Sequence, residues 1–404
     1  MRITSRFALA ISFAAFTTVI SPAALADATP AGSQFQVSQE AGQHATVAVA
    51  PGGGFVVAWA KGDTASLTAE APVYAQWFSA TGAPQGAPVQ VSMSNLAYSD
   101  AISIAGNPAG GYVIAWTEGA LASAPVVLAR RYSDARAPLD AAPIVVGEGS
   151  LPRVAVRDDG AFAVAWVSNG KPHARGFSPI GVPYGKQFKL AARTGNKTTA
   201  PDIAFTPDRD FVAVWAEYTN AGPEVYTEPA GVYLRRWGIA GLNKDPIEHR
   251  IDTRPISSWG HVPRPSIAKG LGGDIVVTWF FPCSDCGGVF ARRFSGGLSP
   301  LESAEFLVSG PTPYGYVSVS QIMLAVNGSG GFNSVVLEYG DHMRGRRFSA
   351  SGTALDADEF TIGYGNSNYI PSAEIGMWPD GRFVVVFDSN TGPIYPWARL
   401  YNAP

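Results

Sequence analysis

Aromatic, arginine, histidine and carboxylate side chains are concentrated in two neighbouring stretches of the chain, residues 217–231 and 252–265. The reactive or ring-bearing residues there, with two tyrosines further on, are Glu217, Tyr218, Tyr226, Arg254, Trp259, His261, Arg264, Tyr314 and Tyr316. Sugar rings stack on tryptophan and tyrosine, while arginine and carboxylate groups hydrogen-bond with sugar hydroxyls or carboxylates. The combination predicts a carbohydrate-binding site. The alternative is that the two stretches are long loops that bury their own aromatic side chains in a small local core.

The same residue types could also cleave a uronate-containing polysaccharide by β-elimination. That reaction needs a base near the C5 proton, an acid for the leaving oxygen and a cation that neutralises the carboxylate. The candidates for base, acid and cation, in that order, are His261; Tyr218, Tyr226 or Tyr316; and Arg254 or Arg264. A polysaccharide lyase is therefore the second interpretation, after binding without catalysis.

Two glutamates offer a third chemistry, the hydrolysis of a glycosidic bond by paired carboxylates. Glu118 and Glu217 each follow a tryptophan by two residues, and His342 is a further candidate for ligand contact. No His-Glu-x-x-His pattern, Gly-x-Ser-x-Gly turn, EF-hand loop or phosphate loop occurs. The sequence therefore indicates neither a metal nor a cofactor, and binding stays the leading interpretation.

Seven copies of one apolar pattern must position these residues. Each copy is a run of about five β-branched and aromatic residues after a turn of Gly, Asp or Asn, and the runs end 49 to 64 residues apart. The runs are 55–59, 112–116, 162–166, 211–215, 275–279, 333–337 and 383–387. Uninterrupted apolar runs of this length are typical of strands buried on both faces. An alternating strand precedes each run, and two further strands follow most of them.

Four antiparallel strands per repeat of about 50 residues describe a β-propeller blade, and seven such units can close into a ring. The seventh unit lacks a fourth strand, while Phe35–Ser38 is a fourth strand without a unit of its own. We therefore predict an all-β, seven-bladed propeller in which Phe35–Ser38 pairs with the last blade beside Trp397–Tyr401. The loops between strands 2 and 3 and the links between blades then share one face, where the candidate residues would surround the mouth of the central channel.

The repeats resemble those of secreted bacterial seven-bladed β-propellers, with a turn, a Phe-Val-Val-Ala-Trp type run and an Arg-Arg-aromatic strand. The resemblance covers residues 33–404 and implies the fold without implying an activity. Residues that recur in every blade are expected to serve packing. The tryptophans that end strand 2 are thus predicted to fill the spaces between blades, and the arginine pairs, such as Arg130 and Arg131, to be structural.

The chain begins with the features of a cleaved secretory signal over residues 1–26, which leaves a single domain over residues 27–404. No later segment is apolar enough to predict a membrane span, and we expect a secreted or periplasmic monomer. The net charge of −3, without basic clusters, disfavours nucleic acid as a partner and leaves a polysaccharide or another extracellular ligand. In an exported chain, Cys283 and Cys286 predict a local disulfide, because zinc would require two further ligands.

Overall fold

The computed structural model describes residues 28–62, 71–93, 97–119, 124–192, 197–220, 226–253, 265–270, 272–281, 287–310, 319–338, 342–364, 372–390 and 393–403. These residues form seven antiparallel sheets and contain no helix. None of them therefore supplies a helix with the length and apolarity needed to cross a bilayer. The sheets are the seven blades of the predicted propeller, numbered here in chain order.

Each blade has four strands, numbered 1 to 4 from the channel outward, and the sheet of blade 4 contains one further short strand, Lys197–Thr198. The first strands are Gly42–Val49, Ala97–Gly106, Ser150–Val156, Asp202–Phe205, Ser266–Lys269, Val319–Val326 and Ala373–Met377. The second strands are Phe55–Lys61, Tyr112–Glu118, Phe162–Ser168, Phe211–Asn220, Ile275–Phe281, Phe332–Glu338 and Phe383–Asn390. The third strands are Val73–Phe78, Val126–Tyr132, Lys171–Phe177, Tyr226–Trp237, Gly288–Phe294, His342–Phe348 and Ile394–Tyr401. The fourth strands, ending with that of blade 7, are Val89–Gln90, Ile144–Glu148, Phe188–Lys189, His249–Arg250, Phe306–Ser309, Phe360–Tyr364 and Phe35–Gln36.

The two ends of the chain close the ring in blade 7. Phe35 lies opposite Ala398 and Gln36 opposite Trp397 in an antiparallel pair with strand 3 of that blade. The amide of Val37 continues the pairing by donating to the carbonyl of Pro396 at 2.8 Å. The predicted exchange of a strand between the termini is confirmed, and it gives blade 7 an outer fourth strand like that of the other blades.

One predicted loop is largely strand. Residues 217–231 were expected to form a long loop in blade 4, yet Phe211–Asn220 and Tyr226–Trp237 continue as a paired hairpin with Asn220 opposite Tyr226. The short strand Lys197–Thr198 pairs with the extension on its other side. Tyr218, Thr219, Tyr226 and Thr227 favour extended backbone, and this preference, together with the pairing of the two strands, overrides the turn residues that suggest a loop.

The hydrophobic core is divided among the interfaces between blades. Each of seven clusters of buried residues in the described chain joins the facing sheets of two neighbouring blades. Trp59, at the end of strand 2 in blade 1, packs in the cluster shared with blade 7 and is 1 % exposed. Trp116, Trp166 and Trp215 are fully buried at the same position of the next three blades. The prediction that these tryptophans fill the spaces between blades is confirmed.

The arginine pairs are structural, as predicted. The second arginine of a pair bonds with an acidic residue nine positions later, through both its backbone amide and its guanidinium. These ion pairs are Arg131–Asp140, Arg236–Asp245, Arg293–Glu302 and Arg347–Asp356. The first arginine of two pairs also reaches the previous blade, since Arg130 bonds with the carbonyl of Val91 at 3.3 Å and Arg292 with that of Ile251 at 2.9 Å. In blades 2 and 5 the arginine pair thus connects the blade with its own outer turn and with its neighbour.

A buried carboxylate reinforces the closure between blades 7 and 1. Asp388 follows the apolar run of strand 2 in blade 7 and is 1 % exposed. Its oxygens accept hydrogen bonds from the backbone amides of His44, at 2.6 Å, and Ala45, at 3.4 Å, in strand 1 of blade 1. The hydroxyl of Ser372 donates a third bond at 2.9 Å. His44 has a φ of 58°, so the carboxylate fixes a left-handed kink at the point where the last blade meets the first.

The ion pairs formed by the arginine pairs are expected to stabilise the fold much more when they are buried than when they are exposed. Asp356 is fully buried, so its replacement by alanine removes a carboxylate from beside the buried Arg347 guanidinium and should cost about 3 kcal/mol of unfolding free energy. The control is Asp159→Ala, which removes a more exposed partner of Arg157 and should cost less than about 1 kcal/mol. Denaturant unfolding of both variants measures the difference. Equal losses would contradict a stabilising role that depends on burial.

The buried carboxyl group of Asp388, at the closure between blades 7 and 1, predicts a dependence of folding stability on pH. Burial raises the pKa of Asp388 to about 7 from 3.8, although the hydrogen bonds from His44, Ser372 and Ala45 oppose the shift. The folded protein therefore holds this proton more tightly than the unfolded chain. The resulting stability is complete below about pH 4 and is lost as the pH rises through about 7.

The substitution Asp388→Asn removes this ionisable group. The unfolding free energy of the wild type relative to the variant should fall between about pH 4 and about pH 7, by at most about 1.4 kcal/mol per pH unit. Asp380→Asn, at the exposed turn of the same blade, is the matched control and should keep the wild-type slope over this range. Parallel stability curves for the wild type and Asp388→Asn would contradict the assignment.

Candidate functional site

The first strands of the seven blades surround the channel, each in contact with the first strand of the next blade. In each blade, the apolar run of strand 2 ends in a large side chain. The residue before that side chain lies opposite one residue of strand 1, and the seven strand-1 residues found in this way define one level of the channel. From blade 1 to blade 7 these residues are Thr46, Ser103, Arg153, Asp202, Ser266, Ile322 and Glu374. This level lies near the end of each first strand that is connected to the link from the preceding blade. It therefore forms the channel mouth on the face where the sequence predicts function.

Several polar side chains at the mouth bond with the next blade. The hydroxyl of Ser103 accepts from the amide of Val154 at 3.1 Å, and Asp202 Oδ2 accepts from the amide of Ile267 at 3.0 Å. Strand 1 is an edge strand whose free backbone groups would otherwise lack partners in a largely apolar wall. At Ser103 and Asp202 a polar side chain therefore serves the fold before any ligand is considered.

Asp202 accepts more hydrogen bonds than the pairing with the backbone of the next blade requires. Besides the Ile267 amide, its carboxylate accepts from the hydroxyl of Ser266 at 3.1 Å and from the amide of Ile203 at 3.0 Å. All three groups are donors, and the two oxygens of a carboxylate have enough lone pairs to accept from all of them. The side chain remains partly exposed, so its orientation is fixed while water and solutes can reach it.

Three charged side chains interact across the channel. Glu374 lies in blade 7, and blades 3 and 4, which carry Arg153 and Asp202, are three blades away in either direction around the ring. Burial raises the pKa of Glu374, Arg153 lowers it and Asp202 raises it. Because the first strands surround the channel, Arg153 and Asp202 act on Glu374 from the other side of it. Arg153, Asp202 and Glu374 are each partly exposed and together define the candidate site.

Arg153 forms no hydrogen bond or ion pair with any residue that the structure describes, unlike the arginines of the outer strands. A guanidinium presents five donors in a fixed fork that matches carboxylates, sulfates and neighbouring hydroxyls. The described residues include no cluster of histidine, cysteine and carboxylate groups suited to a metal ion. The site therefore combines one available cation with two carboxylates, which suits a hydroxyl-rich or acidic ligand.

The glutamates expected from the sequence have structural partners. Glu217 is 1 % exposed and accepts a hydrogen bond from Trp215 Nε1 at 3.1 Å, and Glu118 accepts from Trp116 Nε1 at the same distance. Tyr218 is partly exposed, and its backbone pairs with Lys197. The structure places these residues at the mouth end of strand 2, and a role in ligand binding or catalysis stays a prediction for each.

Most of the other predicted site residues lie outside the described residues. They are Arg254, Trp259, His261, Arg264, Cys283, Cys286, Tyr314 and Tyr316. Tyr226 and His342 begin third strands, and the structure describes their backbone alone. The predicted lyase residues and the predicted disulfide therefore remain predictions.

Exceptions to the repeat in the loops do not include Arg153, Asp202 and Glu374, because these three residues lie in first strands. The same comparison along the first strands would have found them. Blades 1, 2 and 5 carry the small hydroxyl residues Thr46, Ser103 and Ser266 at this level, whereas blades 3, 4 and 7 carry charged residues there. A charge at a level where other blades need only a short hydrogen-bonding group is the signal that was available.

A groove of about 490 Å³ opens on the opposite face, between the turns of blades 1 and 2. Arg136 and Asp134 line it, but the Arg136 guanidinium already bonds with the backbone and side chain of Gln85. The groove thus offers no available cation comparable with Arg153, and the channel mouth is the better candidate.

Comparison with known proteins establishes the fold. No family model matches the chain, and no curated protein is similar to it in sequence. Among solved structures, an ulvan lyase from a new polysaccharide lyase family matches with a TM-score of 0.55 at 9 % identity, over 90 % of this chain and 95 % of the lyase. A protein of unknown function from Dyadobacter fermentans gives a TM-score of 0.54 at 11 % identity, over 92 % and 97 % of the two chains.

An α-L-arabinofuranosidase from Fusarium graminearum is similar at a TM-score of 0.50 and 12 % identity, over 91 % of this chain and 97 % of that enzyme. At such identities these likenesses show the seven-bladed fold, as the sequence repeats predicted. What the mouth does must therefore be argued from its own residues.

Proposed function

We propose that this protein is exported and binds a polysaccharide at the channel mouth. The observation that carries the proposal is the meeting of Arg153, Asp202 and Glu374 in one partly exposed opening. Carboxylates accept from sugar hydroxyls and arginine donates to them, so this set can bind a chain of sugars in a defined orientation. The aromatic residues predicted for the surrounding loops, Trp259 and Tyr314 among them, would supply the stacking surfaces.

Two of the solved structures with this fold are named for enzymes that act on carbohydrates, an ulvan lyase and an arabinofuranosidase. This is consistent with the proposal. The predicted signal over residues 1–26 supports an extracellular or periplasmic ligand, and monomeric binding is proposed with it.

An acidic polysaccharide is the preferred class of ligand. Arg153 has no acidic partner within hydrogen-bonding distance among the described residues, so a uronate or sulfate group could pair with it without displacing an existing ion pair. The same feature favours the lyase as the second candidate, because β-elimination needs a cation beside the uronate carboxylate. In that case Arg153 would join Arg254 or Arg264 as neutraliser, with His261 and Tyr218, Tyr226 or Tyr316 as base and acid.

Glycan binding and its dependence on Arg153 test the proposal. The protein without its predicted signal should bind a subset of glycans on an array of acidic and neutral polysaccharides. For a bound glycan, Arg153→Ala should weaken binding about tenfold or more, since charge-assisted hydrogen bonds contribute about 1.5–3 kcal/mol. Calorimetric titration at two salt concentrations measures the loss.

Arg157→Ala is the matched control, because Arg157 follows the same strand but pairs with Asp159 in a turn on the opposite face. It should leave binding unchanged. Failure of the wild type to bind any glycan would overturn the proposed function. Formation of an unsaturated uronate, detected by its ultraviolet absorbance, would establish the lyase alternative.

A further inference from the structure

We propose that Asp202 and Glu374 are the catalytic base and acid of a glycoside hydrolase site in the channel mouth. This inference rests on the proposed polysaccharide binding and adds a reaction to it. It replaces no residue of the lyase alternative, whose acid, base and cation come from other parts of the chain.

The positions of the two carboxylates fit this chemistry. Both lie at the same level of the first strands, on opposite walls of the channel, and both are partly exposed. A sugar bound across the mouth would therefore have one carboxyl group on each side of its anomeric carbon. Inverting glycosidases need such an arrangement, because a water molecule must fit between the base and the sugar.

The surroundings of the two groups differ in the way that acid and base require. Asp202 accepts three hydrogen bonds from Ile203, Ser266 and Ile267, which fix the orientation of its carboxylate toward a bound water. Glu374 receives one long bond, from the amide of Ile375 at 3.4 Å. Burial, with the negative charge of Asp202, raises the pKa of Glu374 and favours its protonated form, whereas Arg153 opposes the shift. Two carboxyl groups in unlike surroundings are the usual source of an acid and a base in one site.

The reaction is a single displacement by water. Asp202 removes a proton from a water molecule, whose oxygen forms a bond with the anomeric carbon. The bond from that carbon to the glycosidic oxygen breaks, and this oxygen takes the proton of Glu374 to become the hydroxyl of the leaving sugar. One water is consumed, the anomeric configuration inverts, and the proton gained by Asp202 returns through solvent to Glu374. No oxidant, reductant or second substrate is needed.

Arg153 has a binding role in this scheme. It lies beside Asp202 in the ring order and can hold a hydroxyl or acidic group of the sugar through its free donors. Because its positive charge opposes the protonation of Glu374, pairing with an acidic substituent of the substrate would weaken that opposition. An acidic glycan would in this way promote the protonated state of the catalytic acid.

The test begins with the glycans that the protein binds. The wild type should release reducing ends from at least one of them, and proton NMR of the first product should show the inverted anomer. Glu374→Gln should lower the rate about 10²–10⁴-fold on the natural glycan while binding persists. The activity of this variant should recover on an aryl glycoside of the same sugar, because a nitrophenolate leaves without a proton.

Asp202→Asn should remain inactive on both substrates, since the water still needs a base. Asp380→Asn, in the outer turn of blade 7, is the control and should keep full activity. The Glu374→Gln variant retains every hydrogen bond of Asp202, so it answers the question even where Asp202→Asn impairs folding. In the wild type, the rate should fall as the pH rises through the pKa of Glu374, and circular dichroism verifies that each variant is folded.

Binding without release of reducing ends from any bound glycan would overturn the catalytic assignment and leave the proposed function intact. A retained anomer, or a Glu374→Gln variant as active as the wild type, would overturn it as well. Absence of binding to every glycan would instead overturn the proposed function on which it rests. The failures of the two proposals are thus distinguishable.

Discussion

Closure of the ring by the two ends of the chain is the constraint on which the rest of the structure depends. The second strands are apolar on both faces, and each hydrophobic cluster joins two blades, so no blade owns a complete core. An open array would expose one apolar sheet face at each end. The pairing of Phe35–Gln36 with the last blade prevents this, and Asp388 adds hydrogen bonds from blade 7 to the kinked first strand of blade 1.

The same closure creates the chemistry of the mouth. Seven first strands become edge strands around a narrow channel, and short polar side chains such as Ser103 satisfy the backbone of the next blade. In blade 2 a hydroxyl group is enough for this purpose, and blades 1 and 5 carry hydroxyl residues at the same level. The charges of Arg153, Asp202 and Glu374 exceed what this pairing requires, and the proposed ligand would account for them.

The fold could be predicted from the sequence because it repeats. The apolar run ending at Trp59 recurs seven times, and the unmatched strand at Phe35 indicates how the ring closes. The site could not be predicted in the same way, since strand register and ring order decide that Glu374 meets Arg153 and Asp202 across the channel. Residues more than 170 positions apart meet only after closure, and no local pattern in the sequence records their distance. Local structure was also predicted incompletely in residues 217–231. The turn residues there suggest a loop, whereas pairing between strands 2 and 3 of blade 4 produces a hairpin.

The position of Glu374 relative to Asp202 is set by the whole ring. Three interfaces separate their blades in one direction and four in the other, and the longer path includes the closure between blades 7 and 1. Each interface is a close-packed layer of side chains, which deforms little. The hydrogen bonds from His44 and Ala45 to Asp388 hold blade 7 against the first strand of blade 1, and Glu374 lies in the first strand of that same blade 7. The distance across the mouth is a property of ring closure, so the stability of that junction and the geometry of the candidate site are linked.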